Sequence, residues 1–224
     1  MPGEVIVFDM DGVLVEVTES YRETIRRTVR HFTGREISHE FIQDLKNTGG
    51  WNNDWKLSQK IVNDFGVDVG YDTVVAYFQS IFFGENGLIQ REKWIPSNGL
   101  LETLGQRYQL AIFTGRLREE AQVTLDRFAG HIRFDPVIGH DDVENSKPAP
   151  DGLLKIAGRA GGRTLWYVGD TVDDAHSAKA AGVPFIGIAA AGNPRREELV
   201  ALLRQAGAVA VLENVNQLEG ALAR

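Results

Sequence analysis

Residues 4–15 read "EVIVFDMDGVLV", and the fold follows from how this stretch is taken. Its first half, residues 5–8, is a short apolar run rich in β-branched residues and bounded by glycine, which reads as a strand buried on both faces. Asp9 falls where that strand ends, Asp11 follows two residues later, and Gly12 permits a tight turn. Ligands of open α/β sheets bind beyond the carboxyl ends of the strands. Two carboxylates projecting there are costly unless a metal or a substrate uses them; the ordinary alternative is a pair of solvated turn residues. A calcium loop places its glycine sixth and a glutamate twelfth. Counted from Asp9, this chain has Gly12 fourth and Ser20 twelfth.

Similar apolar runs recur at residues 110–113, 137–138, 165–168, 185–188 and 209–212. Helical stripes lie between most of them: Leu117, Ala121, Leu125 and Phe128 in one segment, Leu199, Leu202 and Leu203 in a later one. Strands alternating with helices predict an α/β fold, a Rossmann-like parallel sheet covered on both faces, with right-handed connections.

The stretch from about residue 15 to 83 differs, because it shows no convincing strand. Tyr21, Ile25, Val29 and Phe32 mark one amphipathic helix, Leu57, Ile61 and Phe65 a second, and Val74, Phe78 and Phe82 a third. Phe41, Ile42 and Leu45 suggest a shorter one. The expected organisation is a core of residues 1–14 and 86–224 with a small all-helical domain, residues 15–85, inserted after the first strand. Residues 13–16 and 84–87 are the hinge candidates.

Composition bounds the function. The chain has 224 residues, 43% hydrophobic and 25% charged, close to the globular average. A net charge of -7 argues against a nucleic-acid partner, although a metal can still supply local positive charge for a phosphorylated substrate. There is no cysteine, which excludes disulfides, thiolate zinc sites and cysteine nucleophiles. No apolar run approaches the ~20 residues that span a bilayer. The start, Met-Pro-Gly-Glu, has no leader pattern, so a soluble cytoplasmic protein is expected, monomer or homodimer, with no membrane partner.

Three further segments carry chemistry. In "LAIFTGR", Thr114 follows a strand, and its hydroxyl with the backbone N–H of Gly115 suits phosphate oxygens, though Thr-Gly is also an ordinary turn. In "NSKPAP", Lys147 precedes a helix opened by Pro148 and Pro150; a lone lysine is usually solvated. In "LWYVGDTVDD", Asp170 follows a strand, and Asp173 and Asp174 open the next helix. Acids favour a helix N-terminus, yet three carboxylates in five residues exceed what a cap requires. A parallel sheet brings these points to one edge, where the carboxylates suit an oxygen-ligated Mg²⁺ and the lysine and threonine suit phosphoryl oxygens.

The motifs "DMDGV", "FTG", "KPAP" and "GDTVDD", in this order, closely resemble those of the haloacid dehalogenase superfamily. The helical insert is similar to the cap of its phosphoglycolate phosphatases and β-phosphoglucomutases. The resemblance implies a Mg²⁺-dependent phosphatase of a small phosphorylated metabolite, acting through an aspartyl phosphate. Asp9 would be the nucleophile, Asp11 the acid/base, and Thr114 and Lys147 the holders of the transferring group. The metal would meet Asp9, the Asp11 carbonyl and Asp170, with Asp174 assisting through water or Lys147; Asp173 fits the spacing less well. Dehalogenases of the superfamily lack the second aspartate, which this chain has in Asp11. Its "DGVLVEV" departs from the common "DGTLVDS", with Glu16 near the hinge, which weakens transfer of any particular substrate. A phosphomutase on the same core, or a catalytically silent binding module, are the alternatives.

The loop "KNTGGWNNDW" would face the nucleophile when the cap closes, with freedom at Gly49 and Gly50. Trp51, Asn52 and Asn53 are the expected substrate contacts there, with Gly115 and Arg116 beside the phosphate. The ordinary alternatives are that Trp55 packs within the cap, that Asn52 or Asn53 caps a helix, and that Lys46 is solvated.

Overall fold

In this computed structural model, residues 3–222 are described. Eight strands alternate with helices along the chain: β1 (Glu4–Phe8), β2 (Val15–Glu16), β3 (Lys93–Trp94), β4 (Gln109–Phe113), β5 (Phe134–Ile138), β6 (Thr164–Gly169), β7 (Phe185–Ile188) and β8 (Ala210–Leu212). The α-helices are α1 (Glu23–Thr33), α2 (His39–Asn47), α3 (Asp54–Asp64), α4 (Tyr71–Phe82), α5 (Leu100–Arg107), α6 (Arg118–Ala129), α7 (Asp151–Ala160), α8 (Val172–Ala181), α9 (Arg196–Gln205) and α10 (Leu218–Leu222).

Six strands form one sheet in the order β5-β4-β1-β6-β7-β8, every pairing parallel. β1 lies inside it, between β4 and β6, which is why residues 5–8 carry no polar side chain and are fully buried. The chain builds outward from β1 to β4 and β5, then returns to its other side for β6, β7 and β8. The order therefore reverses at β1, and the crevice that such a reversal opens lies beyond the ends of β1, β4 and β6.

Strand alternation divides the core. Ile6, Phe8, Ile112, Val168 and Ile186 face one layer, packed by Leu101 and Leu104 of α5, Leu125 of α6 and Leu218 of α10. Val5, Val7, Ala111, Phe113 and Tyr167 face the other, packed by Ile156 of α7, Ala178 of α8 and Leu203 of α9. The predicted α/β architecture is thus the observed one.

The helices α1–α4 surround an apolar core of their own. Ile25 and Val29 of α1, Ile42 of α2, Leu57 and Ile61 of α3, and Phe78 and Phe82 of α4 are buried together. Ser38 opens α2 by accepting from Phe41 N at 3.1 Å, and Asn53 opens α3 by accepting from Lys56 N at 2.9 Å. The chain leaves the main sheet through β2 and comes back through β3, paired antiparallel to it. Both strands have two residues, too short to show a period, and the sequence reading saw neither. The glycines at 84–87 lie before the return: Ile89 beyond them still packs in the helical core.

Helix α7 approaches β4 closely. A Cβ on Gly152 would lie 2.1 Å from the Phe113 ring, which is buried. Gly152→Ala should therefore overpack this layer and cost about 1–3 kcal/mol. Thermal unfolding should show a midpoint several degrees lower; an unchanged midpoint would mean that α7 sits further from the sheet.

Candidate active site

β1 delivers the first carboxylate. Asp9 N continues the ladder by donating to Val168 O at 2.8 Å, so the side chain emerges where the sheet order reverses. The chain then turns sharply, with Leu14 N and Val15 N both donating to Met10 O. Gly12 has φ +72°, and a Cβ there would lie 2.0 Å from Asp170 Oδ2. The glycine is thus required twice, by its backbone and by the carboxylate occupying the space of its missing side chain.

β4 delivers Thr114, buried, its N–H bonded to Ile138 O at 3.0 Å. β6 ends at Gly169, and Asp170 follows it. The loop before α7 delivers Lys147, whose side chain is 1% exposed, so it is no solvated lysine. Its Nζ lies 2.7 Å from Asp174 Oδ1 and 2.9 Å from Asp9 Oδ1. Only the first has hydrogen-bond geometry, and Asp9 Oδ1 is left buried without a hydrogen bond. The rings of Phe113 and Tyr167 flank the ammonium at 5.2 and 5.7 Å.

Asp174 is the organiser of the group. Its Oδ1 accepts from Lys147 and from the Tyr167 hydroxyl at 2.6 Å. Its Oδ2 accepts from Asp170 N, Thr171 N and Thr171 Oγ1. Thr171 in turn caps α8 by accepting from Asp174 N. Asp170 is the opposite case: among the described residues its carboxylate accepts no hydrogen bond. Asp173, the third acid, turns to the helical domain, where its Oδ1 accepts from Gly50 N at 2.6 Å.

The electrostatics follow from this packing. Burial pushes the Asp9 carboxyl up to about 7; Lys147 counteracts this, and Asp174 and Asp11 add to it. Burial, then the charges of Asp174 and Asp9, push Asp170 well above the usual carboxylate range. Burial opposes ionisation of Asp174, yet Lys147 and the other donors outweigh it and hold this carboxyl low. Asp174 and Asp9 likewise outweigh burial at Lys147 and hold its ammonium charged.

Asp9, Asp170 and Asp174 each present an oxygen within 4.8 Å of the others. Fully ionised, the three carboxylates would exceed the one ammonium by two charges, and among the described residues no hydrogen bond reaches the Asp9 or Asp170 carboxyl. That donor set, all hard oxygen with a deficit of two charges, fits a divalent cation such as Mg²⁺.

A cleft opens over this edge. It is lined by Asp9, Asp11 and Asp170 below and by Asn52, Asn53 and Trp55 from the helical domain above. Asn52 packs against Gly115, where a Cβ would meet its Nδ2 at 2.5 Å. The side-chain oxygen of Asn53 is committed to capping α3. Trp51 does not line the cleft; it packs against the helical core, and the indole facing the cleft is that of Trp55. Lys46 is paired with Asp54 at 2.6 Å, its side chain 11% exposed. Arg116 lines the cleft but is wholly engaged by Asp11, Glu92 and Thr124. Sequence reading missed Glu92, Thr124, Glu120 and Tyr167. Only Tyr167 carried a signal, a hydroxyl on a buried strand that must find a partner.

The fold and the acidic edge define a parallel α/β protein with a helical domain over a carboxylate-lined cleft. Residues 6–188 match the haloacid dehalogenase-like hydrolase family, and the chain belongs to it. It is 34% identical over 200 residues to an imidazoleglycerol-phosphate dehydratase of Phytophthora nicotianae, covering 84% of this chain and 43% of that protein. It is 49% identical over 57 residues to a phosphoglycolate phosphatase of Escherichia coli K12, covering 25% of this chain and 23% of that one. The matches thus span less than half the length of these curated relatives. A HAD family hydrolase of Deinococcus radiodurans, solved with bound phosphate and sodium, shares the fold, with TM-score 0.70 and 23% identity over 99% of this chain and 96% of its own.

Removing one partner of the buried charge group should have opposite consequences on its two sides. Lys147→Met leaves Asp9 and Asp174 buried without their cation and should cost about 3–5 kcal/mol in metal-free buffer. Asp9→Asn removes a charge already disfavoured by burial and should leave stability unchanged or raised. Urea denaturation of both variants without metal checks the pair; equal losses would contradict the charge balance described above.

Proposed function

We propose that the chain is a Mg²⁺-dependent phosphatase acting on a small phosphorylated metabolite through an aspartyl phosphate at Asp9. One observation carries the reading: Asp9, Asp170 and Asp174 gather at one sheet edge with a single ammonium, Lys147, among them, and Asp9, Asp11 and Asp170 open onto a cleft under the helical domain. The relative described as a phosphoglycolate phosphatase supports the reaction class.

Asp9 attacks phosphorus, forming the acyl phosphate as the bond to the leaving oxygen breaks; two easier displacements replace a hard one. Asp11, 28% exposed at its side chain and open to the cleft, gives its proton to the leaving oxygen. It then takes a proton from the water that hydrolyses the intermediate. Thr114 and the Gly115 N–H hold phosphoryl oxygens. Lys147 offsets the charge that gathers between Asp9 and the phosphoryl group. Asp9, the Asp11 carbonyl and Asp170, with Asp174 behind them, would hold a Mg²⁺, which would supply electrostatic stabilisation of the transferring group. The cap keeps bulk water from the acyl phosphate. No helix among the described residues is long and apolar enough to cross a membrane. With the net charge of -7, a small-molecule substrate is favoured over a nucleic acid or a bilayer.

A panel of phosphorylated metabolites assayed for phosphate release should find a substrate; EDTA should abolish turnover and Mg²⁺ restore it. Full activity without metal would defeat the reading, and an isomerised sugar phosphate without net release would make the enzyme a mutase.

Asp9→Asn should lose turnover while keeping the fold. Asp11→Asn should slow hydrolysis by roughly 10²–10⁴-fold, the usual worth of general acid/base catalysis. Esters with good leaving groups should suffer less in the first half-reaction. Wild-type rates for Asp9→Asn would exclude covalent catalysis there.

A further inference from the structure

Asp11 is tied to the cap through a buried network that the reaction scheme above does not use. Arg116 Nε and Nη2 both donate to Asp11 Oδ1, at 2.8 and 2.5 Å. The same guanidinium reaches Glu92 Oε1 through Nη2 at 2.7 Å and donates to Thr124 Oγ1 through Nη1 at 2.8 Å. Thr124 closes the loop by donating to Glu92 Oε2 at 2.7 Å. One face of the guanidinium lies over the ring of Tyr21, 4.9 Å from its centroid. The Tyr21 hydroxyl then donates to Glu120 Oε2 at 2.7 Å, and Gln79 Nε2 donates to Glu120 Oε1 at 2.7 Å.

These residues come from both domains. Tyr21 and Gln79 belong to the helical cap, Glu120 and Thr124 to α6 of the core, and Glu92 to the segment just before β3. Arg116, Glu92, Glu120, Thr124 and Tyr21 are all buried; Asp11 is the member open to the cleft. A guanidinium is planar, with its donors in a fixed fork, so fixing its plane fixes every acceptor it holds. The cation–π contact with Tyr21 and ion pairing by Glu92 hold that plane. The Asp11 carboxylate takes its position from the remaining edge. Lifting the cap would withdraw Tyr21 and Gln79 together, uncovering Arg116 and leaving Glu120 without two of its donors. A buried arginine so constrained has one favourable arrangement with the cap down and a different one with it up.

We infer that Arg116 is a positioning residue that couples the placement of Asp11 to closure of the cap, with Tyr21 as the cap's contact. The role of Asp11 in this inference rests on the phosphatase reading; the coupling itself does not. Asp11 then stands ready for proton transfer only when the cap has excluded water from the phosphoenzyme.

The test compares Arg116→Lys and Tyr21→Leu with wild type on an alkyl phosphate and on p-nitrophenyl phosphate, each variant first shown to melt like wild type. A leaving group that needs a proton depends on a placed Asp11, whereas nitrophenolate scarcely does. In the first turnover, Arg116→Lys should slow release of the alcohol from the alkyl ester by roughly 10²-fold, the lower end of general acid catalysis, and release of nitrophenolate by much less, with substrate affinity little changed. Tyr21→Leu should show the same split at smaller size, and it carries the kinetic test if the arginine variant does not fold. A second readout needs neither turnover nor metal: the ¹⁵N–¹H signal of Arg116 Nε should be sharp in wild type and should shift or broaden in Tyr21→Leu. Equal losses of that first-turnover rate on both esters would make Arg116 merely structural, and an unchanged Nε signal in Tyr21→Leu would break the link to the cap; either overturns the inference. If wild-type protein hydrolyses no phosphate ester, the phosphatase reading fails by itself, and the Nε signal still decides the coupling.

Discussion

Four ionisable side chains, three carboxyls and one ammonium, share the point where the sheet order reverses. At an effective dielectric of about 20, two carboxylate oxygens less than 5 Å apart repel by about 3–4 kcal/mol, and burial adds to that cost. Lys147 compensates part of it. The protein meets the rest by giving one carboxylate, that of Asp174, every donor within reach: an ammonium, a phenol, a hydroxyl and two backbone N–H groups. Asp174 is thereby kept ionised, and its charge in turn disfavours ionisation of Asp9 and Asp170. The fold spends its donors on one acid and leaves the other two facing the cleft with unmet demand. That asymmetry is what a site does when a cation completes it.

Several local choices that look unrelated follow from this crowding. Gly12 has no room for a side chain because the Asp170 carboxylate fills the space, and a Cβ on Gly169 would meet Asp174 at 2.5 Å. Tyr167 sits on the strand that leads into Asp170, its ring in the apolar layer and its hydroxyl on Asp174. Phe113, one residue before Thr114, lays its ring beside the Lys147 ammonium. In each case the apolar body of a side chain belongs to the core while its tip or its vacancy belongs to the site, so the site cannot shift without disturbing the layers beneath it.

What could be read in the sequence divides along physical lines. The six sheet strands, the four cap helices and α6 to α9 were legible, because burial on two faces, or on one stripe, imposes a period that neighbouring residues repeat; α5 and α10 were not read. Asp9, Thr114 and Asp170 were legible too, since a parallel sheet brings strand ends together whatever the intervening chain does. Side chains whose partners lie far away in sequence were not. Arg116 looked like a phosphate contact from its neighbours, yet its partners are Asp11, 105 residues away, and Glu92 and Thr124. Lys46 looked solvated, yet Asp54 holds it. In the cap loop both indoles are half-buried against the helical core and only Trp55 also lines the cleft, a choice made by the turn between α2 and α3, which has no period to read.

The acidic run at the start of α8 shows how one segment serves both domains. Asp170 faces the cleft, Asp174 binds the buried ammonium, and Asp173 receives Gly50 N–H from the cap loop. All three spring from two turns of chain, so their spacing is rigid. Gly50 has φ +83°, and Gly49 before it has φ +78°, a pair that turns the loop's backbone donor toward Asp173. The cap is therefore docked on the same short segment that supplies the metal-facing acid. On the opposite flank Arg195 pairs with Glu40 and Asp44 of α2, but those groups are exposed and such pairs contribute little. The buried contacts at Asp173, and at Tyr21 with Glu120, are the ones that register the cap against the core. Both adjoin candidate site residues, Asp170 in one case and Asp11 in the other. Docking of the cap and assembly of the candidate site consequently rest on the same short segments, as the proposed shielding of an acyl phosphate from water would require.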